Sequence, residues 1–170
     1  MNGARSLLFV PTTSERKVQR AFESQAQGVI LDLEDSVAAS QKSVARGALR
    51  VILSVARPLP VYVRVNATST AHCYQDLLAC TLAGVACIVL PKVESTDELK
   101  TADWVMSQLE AQRNLPLRSV ALMAIIETAK GLTAVDAIAA ASPRLRRLVF
   151  GAVDLASAMT SAIAASCPST

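Results

Sequence analysis

The sequence predicts an α/β fold, a TIM (β/α)8-type barrel with about six of its eight strand–helix units present, and three observations predict it. Short apolar runs alternate with amphipathic helical stretches from one end of the chain to the other. The ends of those runs, at Pro11, Glu34, Asn66, Pro91, Glu127 and Asp154, recur at intervals of 23 to 36 residues, the length of one strand plus one helix. No G-x-G-x-x-G follows the first run, so a dinucleotide-binding doubly wound sheet is the weaker choice. The run Val120 to Ile126 is the most telling: it is apolar without alternation, as in a strand buried on both faces, and it stops at a carboxylate, Glu127.

Taken in order, Ser6 to Val10 is a first strand, ended by Pro11. Thr13 or Ser14 caps a helix whose apolar positions Val18, Phe22 and Ala26 recur every four residues, and Gly28 stops it. Val29 to Leu33 is a second strand, leading into Glu34-Asp35. A helix over Ser40 to Ala56 carries Lys42, Arg46 and Arg50 on one face before Pro58 and Pro60 close it. The β-branched run Val61 to Val65 is a third strand that delivers Arg64 and Asn66 to its far end. A helix around Tyr74 to Ala83 precedes the strand Ala86 to Leu90 and then Pro91-Lys92. Ser95 to Glu98 has the form of a capping box, followed by an apolar stripe of Leu99, Ala102, Met106 and Leu109. Pro116 breaks the chain before the Glu127 strand. Leu132, Val135 and Ile138 mark a further helix, ended by Pro143. Arg144, Arg146 and Arg147, read as surface groups, introduce the last strand, Leu148 to Phe150, from which Gly151 leads to Asp154.

Composition narrows the function classes. The 170 residues make one domain with a sizeable core, 52% hydrophobic and 18% charged. A net charge of +3 with 4% aromatic residues gives nucleic acid little to bind. No apolar run approaches the ~18 residues of a membrane span, and Leu7 to Val10 is too short for a signal-peptide core. A cytoplasmic protein is expected. Cys73, Cys80, Cys87 and Cys167 have neither C-x-x-C pairing nor zinc spacing, and Cys80 and Cys87 read as packed thiols. The lone His72 lies after a polar segment and reads as a surface-loop residue.

If the two strands are neighbours, Glu127 and Asp154 open onto one rim, and two hard oxygen ligands without histidine or thiol suit Mg²⁺. On their own, two such acids are as simply explained as a helix cap and a helix start. Arg64 has a similar choice between gripping an oxyanion and pairing with Glu34 or Asp35. Lys42, Arg46 and Arg50 either meet a phosphate or form a solvated face. Lys92, at a strand end, offers a Schiff base as a rival chemistry.

Arg5 to Pro11 (RSLLFVP), Leu31 to Val37 (LDLEDSV), Val63 to Asn66 (VRVN), Leu90 to Glu94 (LPKVE), Ile126 to Ala129 (IETA) and Phe150 to Leu155 (FGAVDL) occur in that order. Together they resemble the citrate lyase β-subunit branch of the HpcH/HpaI aldolase family. The resemblance implies a barrel that cleaves or forms a carbon–carbon bond in a β-hydroxyacyl-CoA such as citryl-CoA or malyl-CoA. It implies Mg²⁺ on Glu127 and Asp154, substrate oxygens on Arg64 and Glu127, and an acidic pair, Glu34 and Asp35, at the same rim. Lys42 and Arg46 are the candidates for the CoA phosphates. Partners implied are an acyl-CoA thioester or hydroxy acid and further copies of the chain, as trimer or hexamer.

Two departures stand out. Thr12 replaces the family's usual glycine after Pro11, which stiffens or shifts the first loop. Residues 1–158 read as a partial barrel and 159–170 as an atypical tail, so the chain looks like a truncated member. Two further readings follow: a non-catalytic remnant of such an enzyme, and an aldolase acting on free hydroxy-keto acids.

Overall fold

A computed structural model of the chain describes residues 4–157 and 160. It contains one six-stranded sheet, all parallel, with strands in sequence order: β1 (Leu7–Pro11), β2 (Gly28–Asp32), β3 (Val61–Arg64), β4 (Val85–Leu90), β5 (Ala121–Ile126) and β6 (Leu145–Phe150). Helices α1 (Glu15–Phe22), α2 (Lys42–Leu53), α3 (Cys73–Cys80), α4 (Thr96–Gln112), α5 (Ala129–Thr133) and α6 (Val135–Ala139) join them, and a last helical stretch covers 152–157. Among the described residues β1 and β6 do not pair, so the barrel order is followed but the sheet is not closed.

Side-chain alternation divides the core in two. On the helix-covered face lie Val29, Leu31, Leu33, Val61, Val63, Val65, Ile88, Leu90, Leu122, Ala124 and Ile126, packed with Val18, Leu49, Leu77, Leu99, Met106 and Ile138 from the helices. Ile30, Tyr62, Cys87, Val89, Ala121, Met123 and Ile125 form a smaller cluster on the opposite face, with Leu7 and Val149 against it. Burial on both faces is why β2, β4 and β5 read as near-continuous apolar runs. Arg147, on the inner face of β6, donates from Nη1 to the carbonyl of Ala4 at 2.8 Å, so the sheet curls until its last strand reaches the chain leading into its first. Pro11 pairs with Asp32 as the last residue of β1; its missing N–H does no harm on an edge strand.

Several local expectations shift. The expected helix from Leu132 is two short ones, α5 and α6, the first capped by Thr128 Oγ1 accepting from the Gly131 N–H at 3.0 Å. Ser95 is the N-cap of α4, but its hydroxyl turns to Glu98 Oε1 at 3.3 Å instead of taking a backbone N–H, so the two side chains of the expected capping box bond to each other and not to the backbone. The main correction concerns Arg144. It is 1% exposed, with Nε on Asp103 Oδ1 at 2.8 Å, Nη1 and Nη2 on the two oxygens of Glu110 at 2.8 Å each, and Nη2 on Ser107 Oγ at 2.9 Å. Arg146 is exposed as expected, while Arg147 is drawn inside the curled sheet.

Cys73, Cys80 and Cys87 are buried free thiols, and His72 sits half-buried at the N-cap of α3. Cys167 and the expected tail, apart from residue 160, lie outside the described residues. Burial pushes the Cys73 and Cys87 thiols up to about 12. Thiolate is the reactive form, so alkylation of the native chain at pH 8 is expected to leave all three unmodified by mass spectrometry, and guanidinium to expose them. Rapid native labelling of any one would contradict this packing.

Candidate active site

The inward-facing positions of neighbouring strands continue past the strand ends onto one rim. On β2 they run Ile30, Asp32, Glu34; on β3, Tyr62, Arg64; on β5, Met123, Ile125, Glu127; on β6, Arg147, Val149, Gly151. This two-residue parity is what gathers the polar groups. Asp32 and Arg64 are direct partners in the β2–β3 register.

Arg64 is gripped at two points by Asp32, Nε to Oδ1 at 2.8 Å and Nη2 to Oδ2 at 2.7 Å. Its Nη1 lies 3.2 Å from Glu34 Oε2 and 3.3 Å from Asp35 Oδ2. The Phe9 ring lies 4.8 Å from the guanidinium carbon. Burial alone would lower the Arg64 pKa, but the Asp32 hydrogen bonds and the three carboxylates outweigh it, and the group stays charged. Asp32 is likewise held below the usual carboxylate range: burial opposes this, while Arg64, the Ser36 contact and the Glu34 N–H prevail. Asp32 also accepts from the N–H groups of Glu34 and Ser36 at 2.9 and 3.1 Å, which shapes the loop presenting Glu34 and Asp35.

Glu34 is buried, and its Oε1 takes the Lys92 ammonium at 2.5 Å. Its Oε2 is within ion-pair range of Arg64 yet is left without a hydrogen bond, because the guanidinium N–H directions go elsewhere. Burial raises the Glu34 pKa against the pull of Lys92 and Arg64. Partial burial alone would lower the Lys92 pKa, but the carboxylates of Glu34, Asp35 and Glu127 outweigh it and raise it. An ammonium kept charged in this way is a poor amine nucleophile, which disfavours the Schiff-base chemistry.

Glu127 is 5% exposed, its Oε1 accepting from the Lys92 N–H at 2.8 Å. Its side chain also interacts with the carboxyl group of Asp154, from the helical stretch after β6. Burial, aided by Asp154 and opposed by the Lys92 amide, pushes Glu127 up to about 7. Gly151 makes this approach possible. A Cβ there would stand 2.5 Å from Glu127 Cβ and 2.8 Å from its Oε2.

Thus Glu34, Asp35, Arg64, Glu127 and Asp154 come to one rim. Lys42 and Arg46 behave differently from expectation. The Lys42 ammonium is buried beneath that rim and donates to the carbonyls of Leu33 and Glu34, both at 2.7 Å. Arg46 pairs with the fully buried Asp76 at 2.9 Å. Asp76 also receives the Asn66 N–H at 2.9 Å, so both cations brace strand ends instead of standing out for a phosphate. In the sequence Asp32 and Gly151 read only as parts of motifs and Asp76 is not singled out, although inward parity with Ile30 would have marked Asp32. Among the described residues no three His, Cys, Asp or Glu side chains form a metal-binding cluster.

A parallel β/α sheet with an arginine and paired carboxylates on its carboxyl rim defines a class of barrel-type enzyme folds, and comparison with known proteins identifies the family. The profile of the HpcH/HpaI aldolase/citrate lyase family matches residues 5–168, and the chain belongs to that family. It is 32% identical over 154 residues to the citrate lyase subunit beta of Haemophilus influenzae, covering 88% of this chain and 52% of that protein. It is 33% identical over 163 residues to the L-malyl-CoA/beta-methylmalyl-CoA lyase of Rhodobacter capsulatus, covering 91% of this chain and 50% of that one. The chain therefore spans about half the length of the curated relatives it matches. The citrate lyase beta subunit of M. tuberculosis complexed with oxaloacetate and magnesium superposes with a TM-score of 0.70 at 31% identity, over 94% of this chain and 63% of that one. No helix among the described residues is long and apolar enough to cross a membrane.

Proposed function

We propose that this chain carries the metal and oxo-acid half of a Mg²⁺-dependent carbon–carbon lyase that cleaves or forms a β-hydroxyacyl-CoA such as citryl-CoA or malyl-CoA. The observation that carries the reading is the Glu127–Asp154 pair, two carboxyl groups close enough to interact at the rim, with Glu127 raised to about 7. A divalent cation relieves that juxtaposition, and Mg²⁺ typically binds through one or two carboxylates while keeping waters and substrate oxygens. The Oε2 of buried Glu34, in ion-pair range of Arg64 but without a hydrogen bond, adds a second acceptor at the same rim. The residues fit the ion. Glu127 and Asp154 would hold it, and when bound it supplies Lewis-acid polarisation of a keto-acid carbonyl.

The chain's own groups divide the remaining work. Arg64, locked in plane by Asp32 and Phe9, presents Nη1 to a carboxylate or enolate oxygen. Glu34 and Asp35 hold that Nη1 until substrate replaces them. Lys92 neutralises Glu34, and the raised Glu34 pKa lets that carboxyl take or return a proton at its free oxygen. Homologues acting on CoA esters support the thioester over the free acid, and parallel assays of malyl-CoA, citryl-CoA and the free acids with Mg²⁺ separate the two.

Among the described residues the outer edges of β1 and β6 are unpaired, with Phe9 46% and Phe150 59% exposed, which favours a second reading in which this chain binds metal and oxo acid without turnover. Turnover by the purified chain excludes it.

Gly151→Ala gives a further check. The new methyl displaces Glu127, so Mg²⁺ affinity by calorimetry is expected to fall at least ~10-fold, the usual cost of disturbing the support of a metal ligand. Unchanged affinity would remove Glu127 from the site.

A further inference from the structure

Lys92 has an uncommon backbone. Its φ is +53°, in the left-handed region that residues with a Cβ seldom adopt. The turn this makes aims two successive N–H groups at β5, Lys92 N–H at Glu127 Oε1 (2.8 Å) and Val93 N–H at the Ile125 carbonyl (3.2 Å). Gly131 secures the far side of the loop, since a Cβ there would run into the Val93 carbonyl. The Lys92 ammonium meanwhile points to Glu34, not Glu127. Backbone and side chain of one residue thus serve two different carboxylates.

We propose that the left-handed turn at Lys92 is a positioning device for the divalent-cation site, in which the peptide N–H, not the ammonium, fixes Glu127 with Oε1 tied down and Oε2 free for the ion shared with Asp154. The inference rests on the metal reading above. A neutral amide orients a carboxylate without cancelling its charge, as an ammonium in the same place would. Fixing the side chain before the ion arrives removes an ordering penalty from binding. A residue that leaves the left-handed turn makes the competent site a minor population, and the apparent affinity falls by that fraction.

The test is Mg²⁺ calorimetry on the full chain as wild type, Lys92→Ala, Lys92→Gly and Lys92→Val, with melting in EDTA alongside. All three variants lose the ammonium equally. Alanine keeps the backbone preference of lysine, glycine favours the turn, and valine disfavours it most. Valine is expected to bind on the order of tenfold more weakly than alanine, and glycine at least as tightly as alanine. Equal affinities for alanine and valine, or a loss that shows only in EDTA melting, overturn the proposal. Should the valine variant not fold, the amide resonance of Lys92 in metal-free protein decides. It is expected downfield and exchange-protected, moving upfield in Glu127→Gln; an unmoved resonance overturns the clamp. Absence of Mg²⁺ heat from wild type would instead refute the metal reading, leaving the resonance to judge the clamp by itself.

Discussion

Arg144→Met is expected to lower the urea midpoint of unfolding by roughly 1.5–2.5 M, given a loss of about 3–5 kcal/mol and a slope of ~2 kcal/mol/M. The figure follows from what the substitution leaves behind. Glu110, fully buried, would lose both guanidinium contacts and keep only the N–H groups of Arg118 and Val120, with Ser119 Oγ at 3.4 Å. Asp103 would keep Ser142 and Ser107. Removing one partner of a buried ion pair strands the other, whereas replacing both with apolar groups need not destabilise. Arg144→Met combined with Glu110→Leu should therefore recover much of the loss. The pH profile offers an independent check. Burial pushes Asp103 and Glu110 upward, but Arg144 and the other donors prevail, so both sit below their ordinary values. Their stabilisation is full above the ordinary carboxylate range and disappears as pH falls through the depressed values. Wild type should show this acid limb and Arg144→Met a flatter one. A single variant with wild-type stability would sink the account.

Glu127→Gln and Asp154→Asn are each expected to abolish the calorimetric signal of Mg²⁺ at millimolar concentration, along with any turnover, while leaving the metal-free fold intact. In wild type the ion competes with a proton for Glu127, whose pKa is pushed up to about 7. Affinity should therefore climb with pH, by up to about tenfold per unit below 7, and level off above it. Metal-free stability should change in the opposite sense. Glu127 binds its proton more tightly folded than unfolded, so its contribution falls as pH rises from the ordinary carboxylate range to about 7. A Mg²⁺ affinity flat between pH 5.5 and 8 would count against Glu127 as the ligand.

Much of this architecture was legible in the residues. Six apolar runs, each ending in a proline, an amide or an acid, set the strands in their observed order, because burial on both faces leaves little alternative to a parallel sheet. The rim followed from where those runs stop. What escaped notice was partnership. Asp32 lies inside a strand-like run and looks like an interruption until Arg64 is found opposite it in register. Lys42 looks like a solvated head until its ammonium folds back beneath two carbonyls. Arg144 belongs to an arginine-rich stretch that reads as surface, and its burial depends on α4 presenting Asp103, Ser107 and Glu110 on one face at helical spacing. That spacing is visible in the chain; what it faces is not. Nor does any residue type announce a left-handed lysine.

The hydrogen bond from Arg147 to Ala4 joins positions 143 residues apart. Bringing such distant positions together is slow, because the entropy of closing the loop comes due before the contact can repay it. During synthesis Ala4 must wait for this contact until the sixth strand has emerged and docked on the fifth, while Gln27 holds Arg5 and Ser6. Amide exchange should accordingly rank residues 4–6 among the least protected of the chain, and Arg147→Ala should loosen that segment while the middle strands keep their protection.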